Sequence, residues 1–178
     1  PSRGSVGASG DLAPLSHIAL VLMGEGECFW QGRRLPTAEV LARVGLQPFS
    51  FGAKEAPACI NGTQLMTAVG GLALARAFQV AKAADIVAAM SVEALLGTDA
   101  AFDEKIHQVR PHPGQQACAR NLRRCLADSA LVASHKDCPK VQDAYSLRCI
   151  PQVHGATREG LQWSRQLVEL EINAVTDN

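Results

Sequence analysis

TQLMTAVGGLALARAFQVAKAADIVAAMSVEALL, Thr63 to Leu96, contains no proline. It is built mostly from Ala, Leu, Val and Met, which are strong helix formers apart from the β-branched Val. At about 1.5 Å per residue a helix over 63–96 would run roughly 50 Å, longer than a compact small domain. Its charges, Arg76, Lys82, Asp85 and Glu93, are too few to solvate one full face. A helix apolar nearly all round is expected to be buried among other helices. Gly70-Gly71 predicts a kink or a close helix contact. The stretch therefore predicts a mainly α protein, and its apolar length argues for an oligomer or a larger bundle.

Working outward, Asp11 to Leu22 has apolar residues at helical spacing, with Asp11 placed as an N-cap and Pro14 in the first turn. Residues 28–37 (CFWQGRRLPT) read as a short hairpin with Gly32 in the turn. Ala38 to Val44 reads as a short helix stopped by Gly45, with a Pro/Gly-rich loop after it through Pro57. Further helices are expected at about 114–134 and 153–174. Strand signals are otherwise nearly absent.

The composition is that of a globular chain: 47% of its 178 residues are hydrophobic and 19% charged, enough for a real core. Basic and acidic residues balance at 17 each with no Lys/Arg-rich run, which argues against a nucleic-acid or anionic-membrane surface. The longest uncharged run is interrupted by Pro57, Asn61, Gln64 and paired glycines, a poor membrane span. The six cysteines form no C-x-x-C pair and the five histidines no H-x-x-x-H, so no metal site is expected. Cys118 and Cys125 are expected to act as small buried hydrophobes on a helix. A reduced, cytoplasmic compartment is the simpler reading. A chain opening on Pro1 and lacking a signal-peptide pattern reads as an internal piece of a longer polypeptide.

The most unusual stretch is GSVGASGDLAPL, Gly4 to Leu15. Its glycines recur every third residue with no strand upstream, so it is not a dinucleotide fingerprint. It has no G-K-[ST] and no G-x-S-x-G, which excludes a phosphate loop and a nucleophile elbow. The plain alternative is a flexible loop before a capped helix. The triplet Ala8-Ser9-Gly10 has one further option. A backbone nitrogen can attack the carbonyl carbon two residues back and close a five-membered ring. Only Gly at the attacking position leaves room and dihedral freedom for that approach. Loss of the Ser hydroxyl then leaves an exocyclic methylene. The product, a 4-methylidene-imidazol-5-one, is an electrophile that no side chain supplies.

With this triplet, GSVGASGDLAPLSHIAL (Gly4 to Leu20) resembles the signature of the aromatic amino-acid ammonia-lyases. INGTQ (Ile60 to Gln64), VQDAYSLRCIPQVHGA (Val141 to Ala156) and the closing NAVTDN resemble further blocks of that family in the same order. The AYSLRC and PQV segments resemble the histidine-specific members rather than the plant-type phenylalanine and tyrosine enzymes. The resemblance implies a long-helix bundle of the aspartase-like type, with residues 1–178 an internal part of one larger domain whose flanks are missing. It implies non-oxidative elimination of ammonia from L-histidine to give trans-urocanate, the first step of histidine degradation. No external cofactor is implied. A homotetramer with shared active sites is. The runners-up are a phenylalanine or tyrosine lyase or aminomutase, and a non-catalytic helical assembly module.

The roles follow residue by residue. Ala8, Ser9 and Gly10 would form the imidazolone, whose methylene turns a poor leaving amine into a better one. Arg148 would clamp the substrate carboxylate, since a guanidinium fork meets two carboxylate oxygens in one plane. Gln142, Tyr145 and Arg148 are expected on one helical face, at i, i+3 and i+6. Tyr145 would stand beside the prosthetic group, able to hydrogen-bond or relay a proton, and Gln142 would line the site. Asn61 would lie against the imidazolone and the substrate amine. The Gly62 amide would hydrogen-bond the imidazolone oxygen. Asn178 would sit near the substrate carboxylate, while His17 and His154 read as structural. The family's base tyrosine, ring-reading histidine and distal glutamate have no counterpart here. The chain carries the electrophile and the clamp without the whole reaction.

Overall fold

The computed structural model describes Gly4, Gly10 and residues 12–176. The expectations for Ala8, Ser9, the Asp11 cap and Asn178 lie outside the described residues. The chain divides into two compact units, residues 1–71 with 168–178 and residues 72–167.

In the first unit, α1 (Leu12–Leu22) buries Pro14, Leu15 and Ala19 and packs on α3 (Glu55–Ile60). The expected hairpin is present as β1 (Glu27–Trp30) and β2 (Arg33–Pro36), antiparallel, with Cys28 opposite Leu35 and Trp30 opposite Arg33. Gln31 and Gly32 form its turn with φ of 49° and 76°, the backbone twist that suits a two-residue hairpin. Helix α2 (Thr37–Val44) follows and ends at Gly45 as expected.

Helix α4 (Gln64–Ala94) runs unbroken through Gly70-Gly71. The glycine pair does not interrupt the helix: Gly70 faces open space, and a Cβ on Gly71 would make only ordinary van der Waals contact with Val168 Cγ1 at 3.5 Å. The expected burial of this helix does not hold within the single chain. Only Asp85, Ala89 and Val92 are buried along it. Too little of this chain packs beside it to cover the rest.

The second unit packs α4 residues Ala89 and Val92 with Phe102, Cys118, Leu122, Leu126 and Ile150. A 3-10 turn (Ala100–Phe102) and α5 (Glu104–Gln108) lead into α6 (Pro113–Leu126), which has proline in its first turn. The helix expected over 114–134 is two. Asp128 takes a left-handed backbone with φ 58°, and Ser129 then caps a new turn, α7 (Ala130–Ala133), by accepting the Val132 amide at 3.2 Å. Cys118 is buried as expected, but Cys125 is exposed. After α8 (Tyr145–Arg148) comes α9 (Ile150–Ile172). Gly155 brings α9 against the α6 backbone: a Cβ there would lie 2.5 Å from the Gln115 nitrogen. Any side chain at 155 would force those helices apart.

Candidate active site

The residues singled out by sequence fall into two groups, one in each unit. In the first unit, α3 ends at Asn61, whose amide donates to Pro57 O at 3.0 Å. Gly62 is buried, and α4 starts two residues later. The short connection is pinned on its far side. The Thr63 hydroxyl donates to Glu171 Oε1 at 2.6 Å, and Gln64 Nε2 donates to Thr176 O at 3.4 Å. Asn61 and Gly62 therefore have a fixed backbone at the amino end of a 31-residue helix, where free amides and the helix dipole favour negative charge.

Gly10 lies against this bend. Its φ is +106°, and a Cβ built on it would collide with Asn61 Oδ1 and stand 3.2 Å from the Gly62 nitrogen. Both the dihedral and the space require glycine. The structure thus brings together Gly10, Asn61 and Gly62, three of the residues expected around the electrophile.

In the second unit, Tyr145 and Arg148 share α8, a single turn. Ala144 has extended backbone (φ −54°, ψ 143°), and its carbonyl accepts the amides of Leu147 at 3.0 Å and Arg148 at 3.2 Å. The helix therefore begins only after Ala144. The expected stripe of Gln142, Tyr145 and Arg148 does not form, because Gln142 precedes the helix, exposed in the loop. Tyr145 is 73% exposed. Arg148 is half-buried, its Nε donates to Asp143 O at 2.9 Å, and its Cζ lies 5.6 Å from the Tyr145 ring centroid, within cation–π range. Among the described residues no acceptor is recorded for the Nη1 and Nη2 groups of Arg148.

A third cluster was not singled out as a site. Asp85, 1% exposed on α4, accepts from Cys118 Sγ (3.2 Å), Asn121 Nδ2 (2.8 Å), His154 Nδ1 (2.9 Å) and Arg158 Nη2 (2.5 Å). Burial alone would raise its pKa. The hydrogen bonds from Asn121, His154 and Cys118, with the Arg158 charge, outweigh that and hold it below the ordinary carboxylate value. Burial and the adjacent carboxylate push the Cys118 thiol up. Ligand atoms of Asp85, Cys118 and His154 lie within 4.8 Å of one another. A guanidinium already on the carboxylate and a thiol held protonated oppose a cation there. The cluster instead ties α6 and α9 to α4, which gives His154 the structural role expected of it.

Residues 1–178 match the aromatic amino acid lyase family over their whole length. The chain belongs to that family. It is 60% identical to the histidine ammonia-lyase of Stigmatella aurantiaca and 58% to that of Myxococcus xanthus, in each case over 100% of this chain and 35% of the relative. The crystal structure of histidine ammonia-lyase from Trypanosoma cruzi is similar with a TM-score of 0.76 and 42% identity, covering 97% of this chain and 32% of that one. Tyrosine aminomutase from Streptomyces globisporus gives a TM-score of 0.81 at 40% identity over 100% of this chain and 37% of that one. The chain thus spans 35% of the length of these curated relatives. The fold is the mainly α lyase fold.

The family's implied imidazolone can be tested against Gly10. Ring closure through the Gly10 nitrogen needs a residue without Cβ, and the collision with Asn61 shows that this position accepts none. The residues present fit the group.

Among the described residues, no helix is long and apolar enough to cross a membrane. All six cysteines are free.

Proposed function

We propose that the full-length protein is a histidine ammonia-lyase that eliminates ammonia from L-histidine to give trans-urocanate. The observation that carries this reading is the close fit of Gly10 to Asn61 and Gly62, at the one triplet in the chain able to cyclise. Identity of 57–60% to several histidine ammonia-lyases, together with the AYSLRC block, favours histidine over phenylalanine or tyrosine.

When formed from Ala8, Ser9 and Gly10, the 4-methylidene-imidazol-5-one supplies an electrophile that makes the departing amine a better leaving group. Everything else is done by ordinary side chains and one main-chain amide. Gly62 offers an amide at the amino end of α4, suited to a carbonyl oxygen that gains negative charge. Asn61 offers both a donor and an acceptor to the substrate amine. Arg148 binds the substrate carboxylate through its open Nη1/Nη2 edge, with Asn178 as a second polar partner. Tyr145 holds or moves a proton at its phenol oxygen. Gln142 completes the polar lining. No metal and no external cofactor enter.

Assembly is part of the proposal. Val80, Ile86, Val87 and Met90 on α4 and Trp163 on α9 are all more than half exposed in the single chain. An apolar surface of that extent suits a subunit interface. A homotetramer with active sites shared between subunits accounts for it, and six free thiols suit a reduced cytoplasm.

The test is made on full-length protein. Its intact mass should be two waters below that of the sequence, with a near-ultraviolet absorbance that Ser9→Ala removes without unfolding the protein. L-Histidine should be turned over and L-phenylalanine and L-tyrosine should not. Near-normal turnover of L-histidine by Ser9→Ala refutes the electrophile, and preference for an aromatic substrate refutes the choice of histidine.

A further inference from the structure

The loop that carries Tyr145 and Arg148 is tied to the end of α4 by two side chains that no motif reading assigns. Helix α4 closes with Gly97 N donating to Val92 O at 2.8 Å and Leu96 N to Glu93 O at 3.0 Å, a Schellman-type ending. Leu96, not glycine, occupies the left-handed position, with φ 55°. A leucine held there requires that surrounding contacts fix the turn. Lys140 Nζ supplies one set, donating to Leu95 O at 3.1 Å and Leu96 O at 3.3 Å, where a cation suits the carboxyl end of a helix.

Asp143 supplies the other. Its Oδ2 accepts the Thr98 amide at 2.8 Å and the Thr98 hydroxyl at 3.4 Å. It lies so close to the turn that a Cβ on Gly97 would come within 3.2 Å of the same oxygen. A carboxylate beyond a helix carboxyl end gains nothing from the dipole, so helix electrostatics does not explain its placement. Its second contact does. The Asp143 main-chain oxygen accepts Arg148 Nε at 2.9 Å. One residue thus has its side chain anchored 45 positions away in sequence and its backbone on the guanidinium.

We infer that Asp143 is a positioning residue for Arg148: anchored on Thr98, it holds the carbonyl that aims the guanidinium. The inference rests on the reading of Arg148 as the carboxylate clamp. With Nε engaged and Tyr145 in cation–π range of Cζ, the Nη1/Nη2 edge is the fork left to face a substrate carboxylate. The fork is then held before substrate arrives, and binding does not have to order a long side chain.

The test uses full-length enzyme with Asp143→Ala, Asp143→Asn and Arg148→Ala. Two inhibitors separate a clamp effect from general loosening: imidazole-4-propionate, which carries a carboxylate, and histamine, which does not. Asp143→Ala should raise KM for L-histidine and Ki for imidazole-4-propionate about tenfold, while Ki for histamine and kcat change by less than about threefold. Asp143→Asn keeps an oxygen for the Thr98 amide but loses the charge, and should give the same selective effect at about threefold. Adding Asp143→Ala to Arg148→Ala should produce no further weakening of imidazole-4-propionate. The asparagine variant decides alone if the alanine variant does not fold. Equal weakening of both inhibitors, no weakening of either, or a fully additive double variant overturns the inference. A parent enzyme that does not deaminate L-histidine overturns the functional reading itself, an outcome distinguishable from an active parent indifferent to Asp143.

Discussion

Replacing Asp85 by Asn should strongly destabilise the second unit. The carboxylate is 1% exposed and receives four donors, one of them the guanidinium of Arg158, whose side chain is 17% exposed. An amide keeps one oxygen and turns the other acceptor into a donor. Either Arg158 with Asn121, or Cys118 with His154, then faces an N–H. The lost charge-assisted bond costs roughly 1.5–3 kcal/mol, and leaving Arg158 unpaired in a largely dry site brings the total to about 3–5 kcal/mol. For a unit of this size, residues 72–167, that corresponds to a fall in Tm of roughly 12–40 °C. Acid should expose the cause. Asp85 has a folded pKa below its ordinary 3.8, so its contribution is complete above that value and fades as pH falls through the folded one. Thermal melts of parent and variant from pH 7 down to about 3 should show a gap that narrows below about pH 4. A shift under about 2 °C at pH 7, or a gap that widens in acid, would refute the argument.

Three further outcomes are expected of full-length protein. Gly10→Ala should abolish the near-ultraviolet absorbance and turnover of L-histidine, because its Cβ meets Asn61 at a φ of +106° that alanine resists; retained absorbance counts against the fit at that position. Arg148→Lys replaces a fork by a point charge and should cost roughly 2–4 kcal/mol in kcat/KM, with a change under about threefold removing Arg148 from the site. Co-expressed Ser9→Ala and Arg148→Ala chains should recover part of the activity in hybrid tetramers, and hybrids that form but stay inactive sink the shared-site proposal.

Local chemistry made most elements legible. The proline-free run predicted α4, and the glycine and proline punctuation predicted the hairpin and α2, whereas Asn61 and Gly62 were tied to the triplet only by the family resemblance. Expectations failed where a distant contact or a single dihedral decides. Nothing local announces that Asp128 breaks the helix after Leu126, since aspartate is tolerable in a helix and only slightly better in a left-handed turn. Extended backbone at Ala144 moved Gln142 off the helix that its spacing suggested. Asp143 stood inside a quoted motif, but its partner Thr98 is 45 residues away, so no window around the motif contains the reason for it.

Asp85 shows the same limit and carries it further. In the sequence it counted only as one of four charges too few to solvate a full face of a long apolar helix. The structure inverts that. Asp85 is buried, while Met90 on the same helix is 61% exposed. Helices normally put charge outward and apolar groups inward, and a chain that does the reverse has two surfaces to cover. The inner one is satisfied within the second unit, by donors from α6 and α9. The outer one is not satisfied by any described residue of this chain. A hydrogen-bonded acid on one face lets much of the other remain apolar, because polar contacts that fix α4 to its neighbours are taken from the inside. That division suits a helix serving both its own core and a second layer of helices, the arrangement the proposed tetramer requires.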